Sequence, residues 1–210
     1  MRFPSISLLL ILAILSVPAI SQNVTFEEYD PPSSLVVPEN PVNRAKFPFI
    51  DIHSHQWRMG NQDLNKLASE MDNLNMGLMV NLSGGSGKRI ADAMDNIRSS
   101  QPKRFIVFAN VNFNNIDENF GERSAAQLER DYNQGARGLK IFKSLGFSVK
   151  DMNGDRVDVD DPRLDPIWAK CGELGIPVLI HTADPRQFWE PFDENNERWL
   201  ELKTRPGRKR

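Results

Sequence analysis

Phe49-Ile50-Asp51-Ile52-His53-Ser54-His55 is the stretch on which the fold turns. A short run of Phe and Ile reads as a strand covered on both faces. It ends in two histidines one residue apart. Strand side chains alternate, so positions 53 and 55 point the same way, and two imidazoles on one face can bite one metal ion. The pattern returns in Gly175-Ile176-Pro177-Val178-Leu179-Ile180-His181, again a strand closed by a histidine. The chain holds three histidines in all, so every one falls at the C-terminal end of an expected strand.

Working outward, short apolar runs at 48–52, 77–82, 105–111, 138–142 and 177–180 alternate with helical patterns. Leu64, Leu67, Met71 and Leu74 share one helical face. Ile90, Ala93, Met94 and Ile97 share another. Ala125, Leu128 and Tyr132 make a third, stopped by Gly135, and a fourth helix over 164–174 stops at Gly175. Cys171, the single cysteine, falls on the apolar side of that last helix with Leu164, Ile167, Trp168 and Leu174, which marks it as a buried structural thiol. Strand–helix alternation at about 30 residues per unit predicts an α/β fold with a parallel sheet. A doubly wound open sheet and a (β/α)₈ barrel both satisfy it. In either, chemistry gathers at the strand C-termini.

The flanks read differently. Arg2, an apolar run over 8–17 broken only by Ser16, and Ala19-Ile20-Ser21 describe a signal peptide over 1–21, cleaved before Gln22. The run is shorter than the roughly 20 residues of a membrane span, so no stable membrane insertion is expected after cleavage. The expectation is export, to a periplasm or outside the cell. Pro31, Pro32, Pro38 and Pro41 make 22–46 an extended arm. The net charge of −2 gives no broad attraction for nucleic acid, and the basic stretch over 203–210 reads as a solvated end. Asn23-Val24-Thr25 and Asn81-Leu82-Ser83 match the glycosylation sequon.

Here a resemblance takes over. The segment 49–55 looks like the first-strand signature of the amidohydrolase superfamily. Gly135-Ala136-Arg137-Gly138-Leu139-Lys140-Ile141-Phe142 and the segment 175–181 are similar to the fourth and fifth strands of its "amidohydrolase 2" branch, which includes decarboxylases. The resemblance implies a (β/α)₈ TIM barrel over 47–210, present through about strand five. It implies His53, His55 and His181 as ligands of one divalent ion, zinc first and manganese as the alternative. It implies a small-molecule substrate with an amide, lactone or ester bond, cleaved by a metal-activated water, or a decarboxylation at the same site. The family's catalytic Asp at strand eight has no counterpart in these 210 residues, so no catalytic acid is assigned, and an inactive metal-binding fragment is a further reading.

Four more residues are candidates near this edge. Asp51 shares the parity of the histidines and is placed to orient an imidazole. Lys140, a cation in an apolar strand, is expected to point inward and neutralise an anionic substrate group. Arg58 can hold a carboxylate from the loop after the first strand. Asp184, ahead of Pro185, is either a helix cap or a site residue. The run Ser83-Gly84-Gly85-Ser86-Gly87-Lys88 fails the phosphate-loop pattern, which needs Gly at Leu82 and Ser or Thr at Arg89. The loop still opens a helix on the functional edge, which places its amides to bind an anionic group.

Overall fold

The computed structural model describes residues 40–210 together with Thr25, Glu28, Tyr29, Asp30, Pro31, Leu35 and Pro38. The expected signal peptide and most of the expected arm lie outside the described residues. Two units are distinguished, one over 38–184 and one that combines 185–210 with the N-terminal segment.

In the larger unit, strands and helices alternate as the sequence predicts. The strands are β1 (Phe49–Ser54), β2 (Met76–Asn81), β3 (Phe105–Val107), β4 (Ala109–Asn110), β5 (Leu139–Ile141) and β6 (Val178–Ile180). Between them lie α1 (Leu64–Leu74), α2 (Lys88–Ser100), α3 (Phe120–Gln134) and α4 (Asp165–Leu174). All strand pairs are parallel, in two three-stranded sheets of order β1-β2-β3 and β4-β5-β6. The run expected over 105–111 is thus two strands, because Phe108 changes partner. Phe108 gives its N–H to Asn81 O at 2.9 Å, and Ala109 gives its N–H to Gly138 O at 2.8 Å.

The helix limits follow local chemistry. Asp63 caps α1, its Oδ1 accepting the N–H groups of Asn65 and Lys66 at 3.0 Å each. Gly175 closes α4 at φ 63°, a left-handed value that suits glycine. Gly121 has a different task. A Cβ there would sit 2.1 Å from the carbonyl oxygen of Arg163, so only glycine lets α3 approach the chain leading into α4.

Alternate strand residues divide between two apolar clusters. Met76, Met79, Phe105, Val107, Leu139 and Ile141 pack with helical residues such as Leu64, Ile90, Leu128 and Ile167. Val80, Leu82 and Phe108, with Leu78, Ile106 and Leu179 against them, form the second cluster. Both faces of the central strands are therefore covered, as a parallel sheet requires. Each fully buried Leu or Ile contributes about 1.5–3 kcal/mol. Cys171 belongs to the first cluster at 3% exposure, and burial pushes its thiol up to about 11.

The smaller unit contains α5 (Trp199–Thr204) and two 3-10 segments, Arg186–Phe188 and Pro206–Arg208. Phe188 and Leu202 are buried. The Tyr29 hydroxyl donates to the carbonyl of Asn196, and the Tyr29 and Trp199 rings lie 6.0 Å apart. Within the expected basic end, Arg208 pairs with Glu201 and Lys203 lies over the Trp199 ring. Among the described residues, no helix is long and apolar enough to cross a membrane.

Candidate metal centre

The three histidines come to one region at the C-terminal ends of β1 and β6. His53 ends within β1, His55 follows it, and His181 follows β6, its N–H donating to Ile141 O at 3.0 Å. The His53 and His55 rings stand edge to face, centres 5.3 Å apart. Desolvation pushes the His55 imidazole below its ordinary value. The positive charges of His53, Lys140 and His181 act in the same direction, and Asp51 opposes them. These influences keep His55 neutral, the form in which an imidazole binds a metal.

Ring orientation is fixed from outside. His55 Nδ1 lies 2.7 Å from Ser83 Oγ, which leaves Nε2 for a ligand. His181 Nε2 lies against the carbonyl oxygen of Ala183. A carbonyl can only accept, so Nε2 is the donor in this contact, and Nδ1 is the ring nitrogen that this contact leaves open. No three of His, Cys, Asp and Glu among the described residues converge closely enough to enclose an ion. The donor chemistry nonetheless fits one: three imidazoles, two of them with one ring nitrogen already engaged, as metal-bound histidines have it.

Lys140 is the most unusual residue here. It pairs in register with Leu179 and Asn110, so it shares the face of the smaller cluster. It is 1% exposed, and its Nζ has no hydrogen-bond partner among the described residues. Desolvation pushes its pKa down. Its ammonium lies 6.0 Å from the centre of the Phe142 ring. That ring in turn stacks on His55 at 6.0 Å, and Trp57 stacks on His55 at 5.8 Å and 11° and on Phe142 at 5.9 Å. The mouth of the site is therefore an aromatic triangle with a buried cation behind it.

The other candidates fall as follows. The Asp51 carboxylate accepts the backbone N–H of His53 at 2.8 Å, so it braces the main chain of the histidine segment. Its Oδ1 takes a main-chain donor here, whereas sequence parity pointed to an imidazole. A register shift between Asp51 and Ser54 interrupts that parity. Arg58 is exposed and lines a pocket of about 280 Å³ with Trp57, Ser83 and Arg89. Asp184 does not cap the following 3-10 segment, whose N-cap is Pro185. Its carboxylate pairs with Lys143 at the edge beside His181.

Two sequence motifs have other roles in the structure. The amides of the glycine loop are already engaged: Gly84 N–H with Phe108 O, Gly85 N–H with Asn110 Oδ1 at 2.8 Å, and Gly87 N–H with Asp131 Oδ1 at 2.7 Å. The three glycine amides are therefore taken inside the fold. Asn81, the acceptor residue of the second sequon, is 0% exposed and hydrogen-bonded inside the fold, so no glycan can sit there in the folded chain.

Trp57, Asn81, Ser83 and Phe142 were not legible as site residues. Trp57 lies two residues after His55 and Phe142 two after Lys140, so the period of a strand was the signal available for both. Ser83 was hidden in a glycine-rich loop that invited a different reading.

A second pocket, of about 700 Å³, borders the site through Phe142 and is otherwise lined by residues of the loops after β4 and β5, including Asn112, Asn114, Ser148 and Lys150.

No curated protein matches the chain in sequence. Among solved structures, a probable 2-pyrone-4,6-dicarboxylic acid hydrolase from Acinetobacter baumannii, with citric acid bound, is similar at 13% identity and a TM-score of 0.38. The match covers 70% of this chain and 52% of that one, so this chain spans about half of that protein's length. The family model described as Amidohydrolase (Amidohydro_2) matches residues 50–198, from the first histidine strand through the segment beyond His181. The chain belongs to the amidohydrolase family.

Proposed function

We propose that the chain carries the metal-binding part of a hydrolase acting on an amide, lactone or ester bond of a small molecule. The strand run is read as the first five units of a (β/α)₈ barrel. Support comes from the strictly sequential, parallel order of the strands and from the helices between them. The observation that carries the functional reading is the environment of His55, a neutral imidazole held by Ser83 with His53, His181 and Lys140 around it.

In this reading His53, His55 and His181 hold one divalent ion, zinc before manganese. Such an ion supplies a water acidified toward neutrality and polarises a carbonyl. The chain's own residues then do the rest. Ser83 and the Ala183 carbonyl hold two imidazoles in place. Asp51 braces the His53 backbone. Lys140 offers a desolvated cation to an anionic part of the substrate, and Trp57 and Phe142 shield that contact from water. Export of the mature chain is part of the proposal and rests on the sequence of residues 1–21.

The lone cation also favours a second reading, in which the same site removes carbon dioxide from a carboxylate bound at Lys140. The two separate in one assay. Hydrolysis of a lactone or ester panel consumes base without gas, whereas decarboxylation releases carbon dioxide. Metal analysis tests the centre itself. We expect roughly one zinc per chain, lost on His53→Ala or His181→Ala. Unchanged metal content in both variants overturns the assignment.

A further inference from the structure

Ser83 is fixed from three directions, and each contact bears on His55. Its N–H donates to Asn81 Oδ1 at 2.9 Å, its carbonyl accepts from Arg89 Nη2 at 3.2 Å, and its Oγ lies 2.7 Å from His55 Nδ1. The side chain sits on a residue 1% exposed. Gly84 completes the clamp. A Cβ there would fall 2.4 Å from Val107 Cγ1 and 2.5 Å from Phe108 O, so the loop is pressed against the strands and cannot draw Ser83 away.

Asn81 ties the other end. It is 0% exposed, and its amide takes the N–H of Gln56 at 2.9 Å and donates to the Gln56 carbonyl at 3.1 Å. Gln56 is the residue immediately after His55. One buried amide therefore fastens both the backbone that carries the imidazole and the serine that meets its ring. Loss of this amide would leave three buried or half-buried main-chain groups without their partner.

A neutral imidazole has one proton and two nitrogens, and the hydrogen bond at one decides which nitrogen is left as a ligand. We propose that Asn81 and Ser83 are positioning residues that hold His55 with its proton at Nδ1, donated to Ser83 Oγ, so that Nε2 is presented as the metal-binding nitrogen. The proposal rests on the metal-centre reading, but it makes a statement about the metal-free chain that stands apart from it.

The test is the tautomer of His55 in the full chain, read by long-range proton–nitrogen correlation after labelling its three histidines. His53→Gln and His181→Gln assign the signals. The wild-type chain, stripped of metal, is expected to show His55 protonated at Nδ1. Ser83→Ala is expected to shift it toward the Nε2-protonated form that free imidazole prefers, and to weaken zinc binding about 10–100-fold. Ser83→Thr, which keeps the hydroxyl, is expected to restore both. A wild-type His55 protonated at Nε2 overturns the proposal, and this needs no variant to fold. So does a Ser83→Ala chain that folds and keeps the wild-type tautomer. If the tautomer behaves as expected and zinc is still not taken up, the positioning role stands and the metal-centre reading falls.

Discussion

The interior strands and the border strands are built from the same kinds of residue and are buried to opposite extents. In the interior, Val107, Ile141 and Leu82 at the end of β2 are 0% exposed. On the borders, Ile50 and Ile52 of β1 are 58% and 64% exposed, and Val178 and Ile180 of β6 are 36% and 39%. The histidines all stand on or just after the border strands, and Lys140, a buried cation without a hydrogen-bond partner among the described residues, stands on an interior strand between them in chain order. The candidate ligands therefore sit where the scaffold is least covered, whereas Asn81 and Ser83 beside them are buried. Main-chain hydrogen bonds from His53 to Asp51 and from Gln56 to Asn81 hold the histidine segment at this exposed border.

The sharpest way to break this contrast is to truncate the same residue type in both regions. Ile141→Ala should cost about 2–5 kcal/mol in urea unfolding, whereas Ile52→Ala should stay within about 0.5 kcal/mol. Equal losses would show that the borders are packed in solution. A second test uses the interior thiol. With its pKa raised from 9.0 to about 11, Cys171 should react with a thiol reagent about a hundredfold more slowly than a thiol at its ordinary value, until the chain unfolds. Fast labelling of the native protein would move α4 out of the interior class.

Lys140 provides the next smaller effect. Its folded-state pKa is depressed, so above that value the unfolded chain binds the extra proton, and stability rises with pH up to the ordinary lysine range. Lys140→Met should raise stability by about 1–3 kcal/mol near neutrality and flatten the alkaline rise. A Lys140→Met chain that is less stable, with the pH slope intact, would mean that the amine has a partner. The smallest effect belongs to the exposed pair of Lys88 with Asp92, where Lys88→Ala should change the unfolding free energy by less than about 0.5 kcal/mol.

The contrast also explains what the sequence could tell. Helix faces and stops were legible because local chemistry sets them: Leu64, Met71, Ile90 and Ile97 are buried where the 3.6-residue period put them, and Gly135 and Gly175 close their helices. The histidine edge was legible because strand ends are set by the same alternation. What was not legible depends on contacts between distant segments. Phe108 splits one strand because it gives its amide to Asn81 while the next residue, Ala109, gives its own to Gly138. Asp184 meets Lys143 across 41 positions, which overrides its local tendency to cap. Ser83 reaches His55 across 28 positions, and no period in the sequence announces such a pair.

The burial of Asn81 has a consequence for how the chain can be made. Its sequon is intact in sequence, and sugar transfer acts on extended chain before folding is complete. In a host that glycosylates its secreted proteins, folding and sugar transfer would race at this one amide. A chain modified there could not bury Asn81, and with it would lose the clamp on Gln56 and Ser83. Bacterial production, or Ser83→Ala as a sequon knockout, would look like equivalent remedies, yet the second removes the hydroxyl that meets His55. The choice of host thus decides whether the centre can be studied intact.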